Sequence, residues 1–348
     1  MTRILILTSD LFFEHKPWFP HPERPERLKI VLEAAEETGV LRVSEVIKPS
    51  IEADVNLALL IHEKEYVERV KNLSSSGGGM LDADTYVCSK TFDAALTALG
   101  LAKTAVEKTL KGETRHVVVL PRPPGHHAGR RGVAMGAPTL GFCIFNTSAL
   151  TSTLLAERGL KVLQVDFDLH HGNGTQDILY SDPRIIHVDL HQDPATIYPG
   201  TGWPWQTGEG EARGTKLNVL LPPGSGDDAF EEAVDKVICL VEKIMGRPNV
   251  LVYSAGFDAY RGDGLGMLRA TSRTFHMLGY RLRRELGDPP TITVWEGGYD
   301  EGLRRGYPAF LAGLAGEEDP ISDEPTKSKL TVISELKSNL KELEKHVL

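Results

Sequence analysis

The sequence predicts an α/β fold built on a mostly parallel sheet, on three observations. Short apolar runs alternate with longer amphipathic stretches through most of the chain. Several of those runs end in polar or glycine-rich residues, where open parallel sheets keep their sites. No internal repeat breaks the alternation, and 348 residues suit one large unit. Hydrophobic residues make up 41% of the chain, enough for a sizeable core.

Taken in order, residues 3–8 read as a first buried strand. Residues 9–25 hold Pro17, Pro20 and Pro22 among aromatics, too irregular for a helix. Long loops of this kind often form the rim of an active site. A helix is expected at 26–37, opened by Pro25, with Leu28, Val31, Leu32 and Ala35 on its apolar stripe. There Arg27 reads as an exposed first-turn residue. A helical region follows at 55–70, in two pieces, 57–61 and 66–70. Serines and glycines at 74–79 read as a mobile loop, with Asp82 and Asp84 after it. Residues 91–110 form a strong helix.

From here the strands deliver chemistry. The strand at 116–120 runs into a proline-stiffened turn holding His126 and His127. After a helix at 147–157, the apolar run 160–165 leads into Asp166, Asp168 and His170. Alternating side chains would point all three the same way if the strand continues that far. Gly172 and Gly174 then let the backbone bend. A strand at 184–191 leads to a glycine-rich aromatic loop at 197–203. A strand at 217–221 and a helix at 228–245 come next. The run 249–258 delivers Asp258, a helix follows at 271–286, and the run 291–299 delivers Tyr299 through two glycines. Residues 316–326 read as an acidic linker. Val332, Leu336, Leu340, Leu343 and Val347 then form a helical stripe, expected to pack on the body, with a dimer contact as the alternative.

A net charge of −9 disfavours direct nucleic-acid binding and hints at a cationic substrate. Cys88, Cys143 and Cys239 are odd in number and far apart, so neither a disulfide framework nor a cysteine zinc site is expected. A reducing compartment, the cytoplasm, is the expectation. The run 4–7 is too short for a signal peptide, and no apolar run approaches the ~18 residues of a membrane span.

Asp168, His170 and Asp258 offer two carboxylates and one imidazole, three ligands that leave a coordination position open as catalytic zinc sites do. Iron(II) or cobalt(II) would also suit nitrogen and oxygen ligands. Such an ion polarises a carbonyl and acidifies water. The two histidines could move protons if oriented by Asp166 and Asn173. Tyr299 could donate to an oxyanion.

These residues resemble the histone deacetylase family, which includes acetylpolyamine amidohydrolases and acetoin-utilisation proteins. The resemblance rests on His21-Pro-Glu-Arg-Pro-Glu-Arg27, Arg122-Pro-Pro-Gly-His-His-Ala128, Gly141-Phe-Cys-Ile-Phe-Asn146, Val165-Asp-Phe-Asp-Leu-His-His-Gly-Asn-Gly-Thr175, Tyr198-Pro-Gly-Thr-Gly202, Ser254-Ala-Gly-Phe-Asp-Ala259 and Glu296-Gly-Gly-Tyr299, in family order. It implies an arginase-like three-layer domain over residues 1–315, with about eight strands and helices on both faces. Residues 316–348 would follow as linker and packing helix. It implies zinc on Asp168, His170 and Asp258, with His127 as base and acid. His126 would be its electrostatic partner, paired with Asp166, and Tyr299 the oxyanion donor. Gly141, Phe142 and Tyr198 would line a tunnel for an acyl-lysine-like chain, with Leu265 at the rim and Arg27 at the inner end.

A structural potassium ion is also implied, on Asp166, Asp168, His170, Asp189 and Leu190, although Asp189 stands where relatives often carry serine. Asn173, Phe257 and Glu296 resemble the class II branch. The expected reaction is deacetylation of lysine in proteins. Deacetylation of small amines such as acetylpolyamines is the alternative, for which Glu14, Asp82 and Asp84 are candidate ammonium holders. A noncatalytic acyl-group binder is the second alternative. A two-manganese ureohydrolase fails, because residues 257–263 lack its acidic spacing. A homo-oligomer is compatible with the sequence.

Overall fold

The computed structural model describes residues 4–348. Arg3, in the predicted first strand, lies outside the described residues. The strands are β1 (Ile4–Leu7), β2 (Ser44–Ile47), β3 (Gly78–Met80), β4 (Tyr86–Cys88), β5 (His116–Val119), β6 (Val162–Asp166), β7 (Ile185–Gln192), β8 (Lys216–Leu221), β9 (Val250–Ala255) and β10 (Thr291–Trp295). Eight of them form one sheet in the order β2-β1-β5-β10-β9-β6-β7-β8. All seven of its pairings are parallel. Strands this apolar must be covered on both faces.

The helices are α1 (Glu26–Glu37), α2 (Val55–Leu59), α3 (Lys64–Ser75), α4 (Thr91–Leu110), α5 (Thr147–Ala156), α6 (Asn173–Leu179), α7 (Asp227–Ile244), α8 (Ser272–Glu285), α9 (Tyr307–Ala315) and α10 (Leu330–Val347). α4, α5 and α6 pack in succession as one layer, and α7, α8, α9 and α1 as another. The central sheet and its helices match the predicted class.

The region 55–70 holds two helices, α2 and α3, in the two pieces expected, with buried His62 between them. One of its ring nitrogens pairs with the Gly129 carbonyl at 2.8 Å and the other accepts from the Asn146 amide at 3.0 Å. The serine and glycine run at 74–79 is no free loop. It ends α3 and begins the hairpin β3–β4. Gly78 has φ +109°, and a Cβ there would lie 2.4 Å from the Val87 carbonyl oxygen, so close approach of two backbones demands glycine.

The acidic segment after α9 is anchored too. Asp323 accepts from the Tyr260 hydroxyl and the Ser272 amide, and Thr326 bonds Asp227 and the Arg269 carbonyl. α10 then packs on β8 and α7, burying Leu336, Leu340 and Leu343. Each such burial contributes about 1.5–3 kcal/mol.

Candidate active site

Sheet order places the site. β5, β10, β9 and β6 lie side by side, although they are far apart in the chain. Their carboxyl ends deliver His126 and His127, Tyr299, Asp258, and Asp166 with Asp168 and His170. β6 ends at Asp166, so Asp168 and His170 come from the turn beyond it rather than from continued strand alternation.

Asp168, His170 and Asp258 converge, with ligand atoms all within 4.8 Å of one another. His170 Nδ1 lies 3.1 Å from Asp168 Oδ1 and 3.2 Å from Asp258 Oδ2. Asp258 Oδ2 is buried with no hydrogen-bond partner. The second Asp258 oxygen accepts from the Leu169 amide, and Asp168 Oδ2 from the Gly297 amide at 2.8 Å. A Cβ on Gly256 would fall 2.0 Å from Asp168 Oδ2. One on Gly297 would fall 2.2 Å from Asp168 Oδ2 and 2.6 Å from Asp258 Oδ2. Both glycines therefore leave space that only the carboxylates use.

Burial pushes the Asp258 carboxyl up to about 6, reinforced by Asp168. For His170 burial works the other way, but the adjacent Asp168 and Asp258 carboxylates prevail and raise it to about 9. An unpartnered carboxylate oxygen and an imidazole nitrogen turned toward two carboxylates fit a divalent ion with nitrogen and oxygen ligands.

The histidine turn is held from below by Asn146, which caps α5 through the Ala149 amide and donates to the Ala128 carbonyl. Glu296 clamps it as well. Its buried carboxylate accepts from the Gly125 and His126 amides at 2.8 and 3.1 Å and from the Ser148 hydroxyl. The sequence reading used Glu296 only as a branch marker. Its place directly before the two glycines was the available signal.

The two imidazoles lie 4.0 Å apart between ring centroids. His126 Nδ1 meets Asp166 Oδ2 at 3.0 Å. Burial opposes its charge, yet Asp168 and Asp166 raise it well above the usual histidine range. His127 is driven well below that range by burial and then by positive charge on His126 and His170. Neighbouring groups whose proton affinities are pushed apart are suited to different acid–base roles. His127 Nδ1 lies 2.7 Å from Asn173 Oδ1, whose amide is oriented by donating to the Ala134 carbonyl. Nδ1 therefore carries the hydrogen, and Nε2 keeps a lone pair for a proton.

Tyr299 follows the two glycines, with its neutral form favoured by burial. Arg27 is not the exposed residue its position suggested. It is buried, stacks 4.6 Å from the Tyr299 ring, and donates to the Gly298 and Glu296 carbonyls at 2.7 and 2.6 Å. Asp263, which the sequence reading used only to reject a ureohydrolase, accepts the amides of Tyr299, Asp300 and Gly302 at 2.8–3.0 Å. Asp263→Asn replaces one acceptor by a donor facing those amides. The expected result is a kcat loss of up to about 10²-fold with KM little changed, since ångström misplacement of a catalytic group costs that much. Steady-state kinetics checks it.

Gly141 lies against His127 and Tyr198, and its φ of +52° suits glycine. The Tyr198 hydroxyl donates to the Thr139 carbonyl, and its ring lies 5.0 Å from that of His127. Phe142 packs edge-on to His21 and Tyr299. Asp84 accepts from the Thr139 and Thr85 hydroxyls, and Asp82 from the Leu140 amide. Both acids thus shape the wall at 139–142. Glu14 pairs with Lys16. Leu265 is 40% exposed, and its neighbour Gly266 packs on Leu169, between two of the clustered ligands. Of the residues expected to hold potassium, Asp166 and Asp189 stand in register on β6 and β7, beside buried Leu190.

A family model for the histone deacetylase domain matches residues 21–314. A probable deacetylase of Archaeoglobus fulgidus is 32% identical, over 92% of this chain and 88% of its own length. A histone deacetylase-like amidohydrolase of Pseudomonas aeruginosa is 34% identical, over 80% and 72%. The crystal structure of the HDA15 HD domain superposes with a TM-score of 0.82 at 27% identity, covering 99% of this chain and 98% of that one.

Proposed function

The chain belongs to the histone deacetylase family and is a deacetylase, and from that premise we propose that it hydrolyses acetyl-lysine in proteins with zinc as its resident ion. Asp168, His170 and Asp258 would hold the ion. When bound, it supplies Lewis acidity to the acetyl carbonyl and to water. His127 Nε2 takes the proton of the attacking water and later returns it to the leaving amine. His126, paired with Asp166, keeps positive charge beside that exchange. The Tyr299 hydroxyl donates to the oxygen on which negative charge develops.

The observation that carries the substrate is the state of the rim acids. Glu14, Asp82 and Asp84 are the candidates for holding a distant ammonium, and each is engaged by a cation or by the 82–85 and 139–142 backbone and hydroxyls. An aliphatic chain between Phe142 and Tyr198 needs none of them. The test is turnover of acetyl-lysine peptides and of acetylated polyamines, before and after chelation.

Peptides are expected to turn over faster, to stop after chelation, and to recover with zinc. A preference for polyamines would overturn the substrate, and chelator-resistant turnover the ion. Recovery with iron or cobalt but not zinc would overturn zinc. Tight peptide binding without turnover by the zinc-loaded protein would favour the binder. Tyr299→Phe is expected to lower kcat by about 10²–10³-fold; an unchanged kcat would remove Tyr299 from this role.

A further inference from the structure

We infer, on the oxyanion role proposed above for Tyr299, that Asp323 in the segment after α9 is a positioning residue for that tyrosine. Asp323 lies beyond residues 21–314, which match the family model, yet its side chain joins two segments that meet at the active site. One is the loop 256–271, which connects β9 to α8 without a helix or strand of its own and carries Asp258 and Asp263. The other is the helical turn Gly302–Gly306, which follows Tyr299 and runs into α9. A loop of that length has no regular backbone ladder to fix its shape, so its tethers must do so.

Asp323 is buried, and both of its oxygens are engaged. Oδ2 accepts from the Tyr260 hydroxyl at 2.9 Å and from the Ser272 amide at 3.1 Å. Oδ1 pairs with the Arg305 guanidinium. Arg305 Nε donates to the same Tyr260 hydroxyl at 2.7 Å. The three side chains close a ring that ties the loop to the turn. Bonds to a carboxylate from a guanidinium and a phenol are charge-assisted, and so stronger than neutral ones. The backbone that carries Asp323 is held as well. Its amide donates to the Ser272 hydroxyl at 3.1 Å, and the Thr326 hydroxyl donates to the Arg269 carbonyl at 2.6 Å.

From the ring two short paths reach Tyr299. The Tyr260 carbonyl accepts the Asp263 amide at 3.1 Å, and Asp263 takes the amides of Tyr299, Asp300 and Gly302. Arg305 belongs to the turn itself. Loop and turn meet without slack, since a Cβ on Gly302 would fall 1.9 Å from the Phe257 carbonyl oxygen. Asp258 is fixed by other means, just past the end of β9 with one oxygen on the Leu169 amide. Loss of Asp323 should therefore shift Tyr299 and spare the clustered ligands.

The test is steady-state kinetics of the zinc-loaded full chain on an acetyl-lysine peptide, with Asp323→Ala alone and combined with Tyr299→Phe. Zinc content and urea stability are measured in parallel. Alone, Asp323→Ala is expected to lower kcat about 10–10²-fold, with KM and zinc content little changed. In the Tyr299→Phe chain it is expected to lower kcat no further, because the hydroxyl it positions is gone. A mere loss of stability would reduce the active fraction alike in both backgrounds. Should Asp323→Ala fail to fold, Arg305→Leu at the other end of the ion pair decides, with the same pattern expected. Wild-type kcat in the folded single variant, an equal further loss in the Tyr299→Phe chain, or loss of zinc would each overturn the assignment. Full kcat in Tyr299→Phe alone would instead remove Tyr299 from its role, and the assignment with it.

Discussion

Replacing His127 by glutamine is expected to lower kcat by about 10²–10⁴-fold, the range for losing a general base. The Asp168, His170 and Asp258 cluster, the Tyr299 turn and the channel wall make no hydrogen bond to its ring, so KM should change little. The pH profile gives the sharper test. Burial and the positive charge on His126 and His170 hold His127 well below the usual histidine range. A base of lowered pKa stays neutral into acid, so the acid limb of kcat/KM is expected below about 6.5. A limb above that value would exclude His127 as the base. Asn173 supplies a hydrogen bond that raises His127. Asn173→Ala is therefore expected to move the limb to lower pH while reducing kcat, because the imidazole loses its fixed tautomer. Rate profiles on an acetyl-lysine peptide separate the two effects.

Glu23→Gln is expected to destabilise the fold by about 3–5 kcal/mol, the cost of stranding a buried charge. The Glu23 carboxylate is fully buried and binds Arg122 through both oxygens, at 2.6 and 2.7 Å. It also accepts from the Tyr86 hydroxyl at 2.8 Å and from Arg27 at 3.3 Å. Without it two buried guanidiniums lose their carboxylate. Arg27 in turn holds the Gly298 carbonyl beside Tyr299, so kcat should fall as well.

The pH dependence has a definite sign. Burial raises the Glu23 carboxyl, but Arg122 and His15 outweigh it and hold it well below the ordinary range. A depressed folded pKa gives stability that is complete above the unfolded value of about 4.3 and lost as pH falls through the folded one. Urea denaturation of both proteins across pH should show a constant gap at neutral pH that closes in acid. A gap that widens in acid would contradict the pairing.

Much of the site was legible because its chemistry is local. His126 with His127, Asp168 with His170, and the two glycines before Tyr299 are each a few residues long. Each stands where an apolar strand must end. The helical stripe Leu336, Leu340 and Leu343 was legible for the same reason, since a 3.6-residue period is a local property. Glu23, Glu296 and Asp263 were not, because a buried carboxylate is recognised by its partners and those lie up to 171 residues away.

By itself, then, the sequence determined that this chain alternates strands and helices and which side chains arrive at strand ends. Only the tertiary structure decided that strands β5, β10, β9 and β6 are neighbours. The physical reason is that side-chain period and turn chemistry act over a few residues. Strand order comes from how crossover helices cover both faces of the sheet. That order turns four separated strand ends into one site.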